Sequence, residues 1–214
     1  MAHVHVAAPT LVVATGNQGK RAEFARLLGD IGATVVDLSV AGPGYAAPPE
    51  DGATYAENAR IKARAAAAAT GCLALADDSG IEVEALDGAP GVHSARYGGA
   101  GLDDAGRVAL LLETLAAVPD GRRAAWFVAH LCVSAPSGAI VASTEARLAG
   151  RIARAPRGAA GFGYDPVFVP VGSGQTMAEL APAAKDLLSH RGRAAALLRP
   201  SLRRILLAIG RAQA

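Results

Sequence analysis

Lysine is scarce in this 214-residue chain: Lys20, Lys62 and Lys185 stand against eighteen arginines. Surface positive charge has therefore drifted to arginine. The three lysines that persist are candidates for positions where a compact ammonium serves and a planar guanidinium does not fit. Aromatic residues are only 4% of the chain and the net charge is +2, which excludes a basic, aromatic-studded face for nucleic acid. The two cysteines, Cys72 and Cys132, each sit in an apolar, strand-like run. They read as free thiols in a reducing cytoplasm rather than as a disulfide framework. No apolar run reaches the roughly 20 residues of a membrane span; the nearest, Ala65 to Ala76, is alanine-rich and broken by Thr70 and Gly71. The first nine residues have neither the basic start nor the long apolar middle of a secretory signal. With 51% hydrophobic residues and no repeat or linker, one compact domain over residues 1–214 is expected.

What is present centres on residues 73–99. Leu73 to Ala76 reads as a buried strand that stops at two adjacent carboxylates, Asp77 and Asp78, with Ser79 and Gly80 turning the chain. Alternation along a strand keeps both acids from entering one apolar core, and like charges held together need a cation or solvent to compensate them. A metal ion at the carboxyl end of a strand would do so, and open α/β sheets bind ligands there. Gly88, Pro90, Gly91, Gly98 and Gly99 then punctuate a constrained loop carrying Arg96 and Tyr97, which suits a pocket wall.

Elsewhere the pattern alternates strands with helices. Leu11 to Ala14 is a strand, and Thr15-Gly16-Asn17-Gln18-Gly19-Lys20 leads into a helix from Arg21 to Leu28. A strand, a Gly/Asn turn and a helix start form an anion cradle of backbone N–H groups, to which Lys20 adds a full charge. It is not a Walker loop, which would need Gly at 14 and Ser or Thr at 21, where the chain has Ala14 and Arg21. A Gly/Pro loop carrying Glu50 and Asp51 precedes Thr54, whose spacing to Glu57 is a capping box opening a helix to Ala69. Asn58 and Lys62 share one face of that helix. Leu102 to Val118 reads as a helix with Asp103 and Asp104 at its start, and Ala124–Ser134 with Ile140–Gly150 as a hairpin. Gly161-Phe-Gly-Tyr-Asp-Pro-Val-Phe168 is a ring-rich turn suited to stacking a base, with core burial the alternative for Phe162 and Tyr164. Ser189-His190 reads as a helix cap beside a basic group, not as a nucleophile pair.

Taken together, Thr15-Gly-Asn-x-x-Lys20, Glu57-Asn-Ala-x-x-Lys62-Ala, Asp77-Asp-Ser-Gly80, Gly88-Ala-Pro-Gly-x-x-Ser-Ala-Arg-Tyr97, Gly161-Phe-Gly-Tyr-Asp-Pro166, and Lys185 followed by Ser189-His-Arg-Gly192 resemble the inosine triphosphate pyrophosphatase family. The resemblance covers nearly everything after Pro9. It implies an elongated α/β fold with a central mixed sheet flanked by helices, two lobes with an active-site cleft between them, a homodimer and Mg²⁺ dependence. The activity it implies is hydrolysis of dITP, ITP and XTP to the monophosphate and pyrophosphate, by attack of water at the α-phosphorus. By position, Asp78 matches the catalytic acid that also holds metal, with Ser79 beside it. Glu50 matches the other metal-linked carboxylate, Asp51 being the alternative register. Thr15, Gly16, Asn17, Gln18, Gly19 and Lys20 match the phosphate segment, to which Lys62 and Arg96 add positive charge toward the substrate. Phe162, Gly163, Tyr164, Asp165, Lys185, His190 and Arg191 match the base pocket. Departures are small: His93 stands where Tyr is common and Tyr55 where Phe is common.

Overall fold

The structure, a computed structural model, describes residues 8–212. The reading of the first nine residues therefore falls largely outside the described residues. One mixed sheet of six strands is ordered β2-β1-β3-β4-β5-β6. Its strands are β1 (Thr10–Val13), β2 (Thr34–Asp37), β3 (Leu73–Val83), β4 (Ala124–Ser134), β5 (Ile140–Ile152) and β6 (Phe168–Pro170). β1 runs parallel to both β2 and β3, while β5 and β6 pair antiparallel. The helices are α1 (Gln18–Leu28), α2 (Tyr55–Thr70), α3 (Asp104–Thr114), α4 (Pro182–Leu188) and α5 (His190–Ala212). Among the described residues, no helix is long and apolar enough to cross a membrane.

Two compact units divide the chain. The first holds residues up to Asp78, His130–Glu145 and the chain from Ala194 onward. Its core packs small residues: Val12, Ala14, Ala74, Ala76 and Cys132 meet Ala59, Ala63, Ala66 and Ala67 of α2. Alanine at these positions lets the helix backbone approach the sheet closely while keeping high helix propensity. The expected capping box is present, with Thr54 accepting from the Glu57 amide and Glu57 accepting from the Thr54 amide. α2 ends at Gly71, whose left-handed φ of 66° only glycine adopts at little cost. Burial pushes the Cys132 thiol up to about 11, so almost none is thiolate at neutral pH. A thiol reagent at pH 8 should therefore label the half-buried Cys72 first in the native protein and both cysteines only after unfolding. Equal native labelling by mass spectrometry would contradict the burial.

The second unit spans Ser79–Ala129 and Ala146–Arg193. Its core joins Ile81 and Val83, Val108, Leu111 and Leu115 of α3, and Phe127, Leu148, Ile152 and Phe168. Arg123 is buried here and donates to the carbonyls of Leu115, Val118, Ile152 and Ala153, so each polar end is satisfied.

Element boundaries differ from expectation in informative places. β3 does not end at Ala76. It runs on through Asp77, Asp78, Ser79 and Gly80 to Val83, because each carboxylate has a lysine partner on its own face of the strand. α1 begins at Gln18 rather than Arg21, since the Asn17 side chain accepts from the Lys20 amide and caps it earlier. α3 begins at Asp104, since Asp103 accepts from the Gly106 amide as N-cap. α4, opened by Pro182 at its first turn, was not anticipated.

Candidate functional site

The carboxylate pair is built by strand alternation. Asp77 turns to the α1 side, where its Oδ2 lies 2.7 Å from Lys20 Nζ and its side chain is fully buried. Asp78 turns to the α2 side, where Lys62 Nζ donates to its Oδ1 at 2.7 Å. Lys62 Nζ also lies 3.2 Å from Glu50 Oε2, so one ammonium stands between the two carboxylates. Asn58, completely buried, fixes this loop against the strand. Its amide nitrogen donates to Asp78 Oδ2 (3.3 Å) and to the Gly52 carbonyl (3.4 Å), and its oxygen accepts from the Gly52 amide (2.9 Å). Position 52 must be glycine for this approach, because a Cβ there would stand 2.7 Å from Glu57 Cβ and 2.8 Å from Asn58 Oδ1. Asp51, by contrast, is exposed.

Electrostatics follow from that burial. Desolvation pushes the Asp78 carboxyl up; Lys62 and Lys20 pull it back, Glu50 adds to the rise, and the net direction is upward. Desolvation pulls the Lys62 ammonium down, but the charges of Asp78, Glu50 and Asp77 outweigh it and hold it above its ordinary value. The two acids thus carry like charge that a cation relieves.

Next to it in the same unit, β1 ends and α1 begins. Thr15 Oγ1 accepts from the Asn17 amide at 3.2 Å, and the Asn17 side chain accepts from Lys20 N at 2.9 Å. The first-turn amides of Gln18 and Gly19 have no intrahelical acceptor. Gly16, Asn17 and Gln18 are exposed, and Thr15, Gly19 and Lys20 are half-buried.

The second unit holds the remaining predicted residues, and brings Lys185, Arg191 and Asp165 to Phe162. Lys185, 5% exposed, donates to Asp165 Oδ2 at 2.5 Å, and its Nζ stands 5.0 Å from the Phe162 ring centre. The Arg191 guanidinium stands 5.2 Å from the same ring and donates to Ser79 Oγ at 2.7 Å. Asp165 Oδ2 also accepts from the Phe162 amide (2.9 Å). Gly161 makes room for this knot: with φ +79°, a Cβ there would lie 2.1 Å from Asp165 Oδ2 and 3.0 Å from Lys185 Nζ. His190 is buried and stacks on Phe127, ring centres 4.7 Å apart and 17° between planes. Ser189 Oγ accepts from the Gly192 amide at 3.0 Å, the cap expected of it. Tyr164 belongs to the core cluster, its hydroxyl donating to the Ser94 carbonyl at 2.9 Å, so the half-buried ring in this loop is Phe162. Arg96 is exposed, its Nε donating to His93 Nδ1 at 3.2 Å.

The sequence model of the Ham1 family matches residues 11–201. The chain belongs to the Ham1 family. A dITP/XTP pyrophosphatase from Mycolicibacterium paratuberculosis is 52% identical over 204 residues, covering 94% of this chain and 98% of that protein. A HAM1 protein structure from Coxiella burnetii aligns with a TM-score of 0.82 at 40% identity, covering 92% of this chain and 99% of that one. A Mycobacterium abscessus structure described as a nucleoside-triphosphatase and dITP/XTP pyrophosphatase aligns at TM-score 0.70 and 47% identity, covering 88% and 97%.

Within this Ham1 chain, every lysine is tied to a carboxylate that the motifs also single out: Lys20 to Asp77, Lys62 to Asp78 and Glu50, Lys185 to Asp165. One contact had no signal in the sequence. Asp104 of α3 accepts from the Gly163 amide at 2.8 Å, a pairing 59 residues apart that spacing does not reveal.

Proposed function

We propose that this Ham1 protein hydrolyses dITP, ITP and XTP to the nucleoside monophosphate and pyrophosphate, as one domain over its whole length. The carrying observation is the buried Asp78 carboxylate, held with Glu50 about one lysine ammonium, its carboxyl pushed upward by desolvation. Asp78 takes a proton from water as the water oxygen bonds to the α-phosphorus. The α–β anhydride bond breaks and its electron pair leaves with pyrophosphate. The Thr15–Lys20 segment offers backbone N–H groups and one ammonium to the departing phosphates. An ammonium has three donors, so Lys20 and Lys62 keep their carboxylates while pointing a further N–H at a phosphate oxygen.

The donor set also fits Mg²⁺. Among the described residues, no three His, Cys, Asp or Glu side chains form a ready cage. Mg²⁺ prefers one or two carboxylates, with waters and substrate phosphates completing its shell. Asp78 and Glu50 would hold it, and bound there it supplies Lewis-acid polarisation and neutralisation of phosphate charge. In the second unit, Phe162 offers a ring to stack the base. Lys185, Arg191 and His190 supply N–H groups. Hypoxanthine and xanthine carry an accepting oxygen at C6, whereas adenine presents an amino group that would leave those donors unpaired. Resemblance supports a cytoplasmic homodimer as the working form.

Incubation with Mg²⁺ and a panel of ITP, dITP, XTP, ATP and GTP should yield monophosphate and pyrophosphate from the first three, with ATP and GTP poor substrates. Chromatography showing diphosphate and single phosphate would refute attack at the α-phosphorus.

A further inference from the structure

Phe162 sits on a loop whose backbone closes one turn, Asp165 N donating to the Phe162 carbonyl at 3.3 Å, and is tied at its flanks through Ala160 and Asp165 to Ala178. Gly161 and Gly163 flank it, both at positive φ (79° and 59°), a region glycine enters freely. Two carboxylates hold the amides at its tip. Asp165, within the loop, takes the Phe162 amide, and Asp104 takes the Gly163 amide from a different element, the first turn of α3. Between α3 and the loop lies a cavity of about 520 Å³ lined by Ala105, Val108, Ala109, Ala159 and Ala160, and both Asp104 and Gly163 line it too. Leu112, Pro156, Phe162 and Pro166 also line it; the alanines leave part of the wall thinly braced, and the adjoining space leaves room for displacement. A directional, charge-assisted hydrogen bond has most effect on position where packing is thin.

We propose that Asp104 is a positioning residue for base selection. Through the Gly163 amide it fixes where the Phe162 ring stands relative to Lys185 and Arg191, and so how well a 6-oxopurine is stacked and bonded at once. The inference rests on the base-pocket reading given above. A competing role is purely helical: an acid in the first turn of α3 favours the helix dipole. Its neighbour separates the two roles. Asp103 is the N-cap, accepting from Gly106 at 2.8 Å, and stands on the same helix start without the bond to Gly163.

The test compares wild type with Asp104→Ala, Asp104→Asn and Asp103→Ala by steady-state kinetics on ITP and ATP, with Tm recorded. Asp104→Ala should raise KM for ITP by about tenfold, the order expected for losing a hydrogen bond to a charged group. Its kcat should change far less, and the ITP-to-ATP ratio of kcat/KM should shrink. Asp104→Asn keeps an accepting oxygen and should restore KM. Asp103→Ala should lower Tm by loss of a cap and leave KM and selectivity alone. Wild-type KM and selectivity in Asp104→Ala would overturn the proposal, as would an Asp104→Asn enzyme as impaired as Asp104→Ala. Hydrogen exchange at the Gly163 amide, read by NMR without substrate, should be faster in Asp104→Ala; an unchanged rate would also overturn it. Should wild type fail to cleave ITP, the functional reading falls while the exchange rate still decides the anchoring.

Discussion

Asp78→Asn folds, melts close to wild type, and loses roughly 10²-fold or more in turnover on ITP. The loss follows because the amide removes both the proton acceptor and one metal-binding oxygen charge. The stability half follows from the direction of the carboxyl's shift. A carboxyl held above its ordinary value opposes folding when ionised, so the stability it gives is present at low pH and lost as pH rises through its folded pKa. A neutral isostere removes that cost at neutral pH; its single oxygen can still accept from Lys62, which also keeps Glu50, while the bond from Asn58 to the second oxygen is lost. Asp77→Asn is the comparison. That side chain is fully buried against Lys20 on the opposite face, so its loss should fall mainly on stability. Kinetics and melting curves of the two variants decide the matter: equal, small kinetic losses would remove Asp78 from the chemistry.

Lys185→Arg should lose around 10²-fold in kcat/KM on ITP while keeping charge. The Lys185 ammonium fits between Asp165 Oδ2 and the Phe162 ring, in space that even a Cβ at Gly161 would crowd to 3.0 Å. A planar fork there pushes Asp165 away from the Phe162 amide and shifts the loop by about an ångström, a misplacement of the size that costs about 10²-fold. Lys20→Arg is expected to behave alike and Lys62→Arg to fall between. Arg64→Lys is the silent control, because Arg64 is exposed and donates to a turn carbonyl at Gly138. Wild-type kinetics in the Lys20 and Lys185 variants would mean that lysine was retained at these sites for no functional reason.

Local chemistry in the chain announced most of the fold. The Thr54–Glu57 box, the hairpin turn after Ser134 and the apolar alternation needed no tertiary information. The error at β3 is instructive for that reason. Two acids, a serine and a glycine in succession look like a turn until Lys20 and Lys62, supplied by two different helices, make a charged strand interior affordable. Long-range pairing also decided the aromatics. Phe162 and Tyr164 lie two residues apart in the same motif, yet the Ser94 carbonyl draws the tyrosine hydroxyl into the core and leaves the phenylalanine half-buried. Glu50 and Asp51 were separable only once Asn58 had fixed the loop at Gly52.

The pairing of each lysine with a carboxylate has a practical corollary for anyone handling the protein. Lysine side chains are usually the ready handles for dyes, biotin and surface immobilisation. In this chain Lys20 and Lys62 keep only 16% and 13% of their side-chain surface, and Lys185 is 5% exposed. Amine-directed coupling to lysine would thus report on the candidate site instead of decorating a neutral surface. Progressive acylation should track loss of activity, and residues protected by bound nucleotide would be identifiable peptide by peptide.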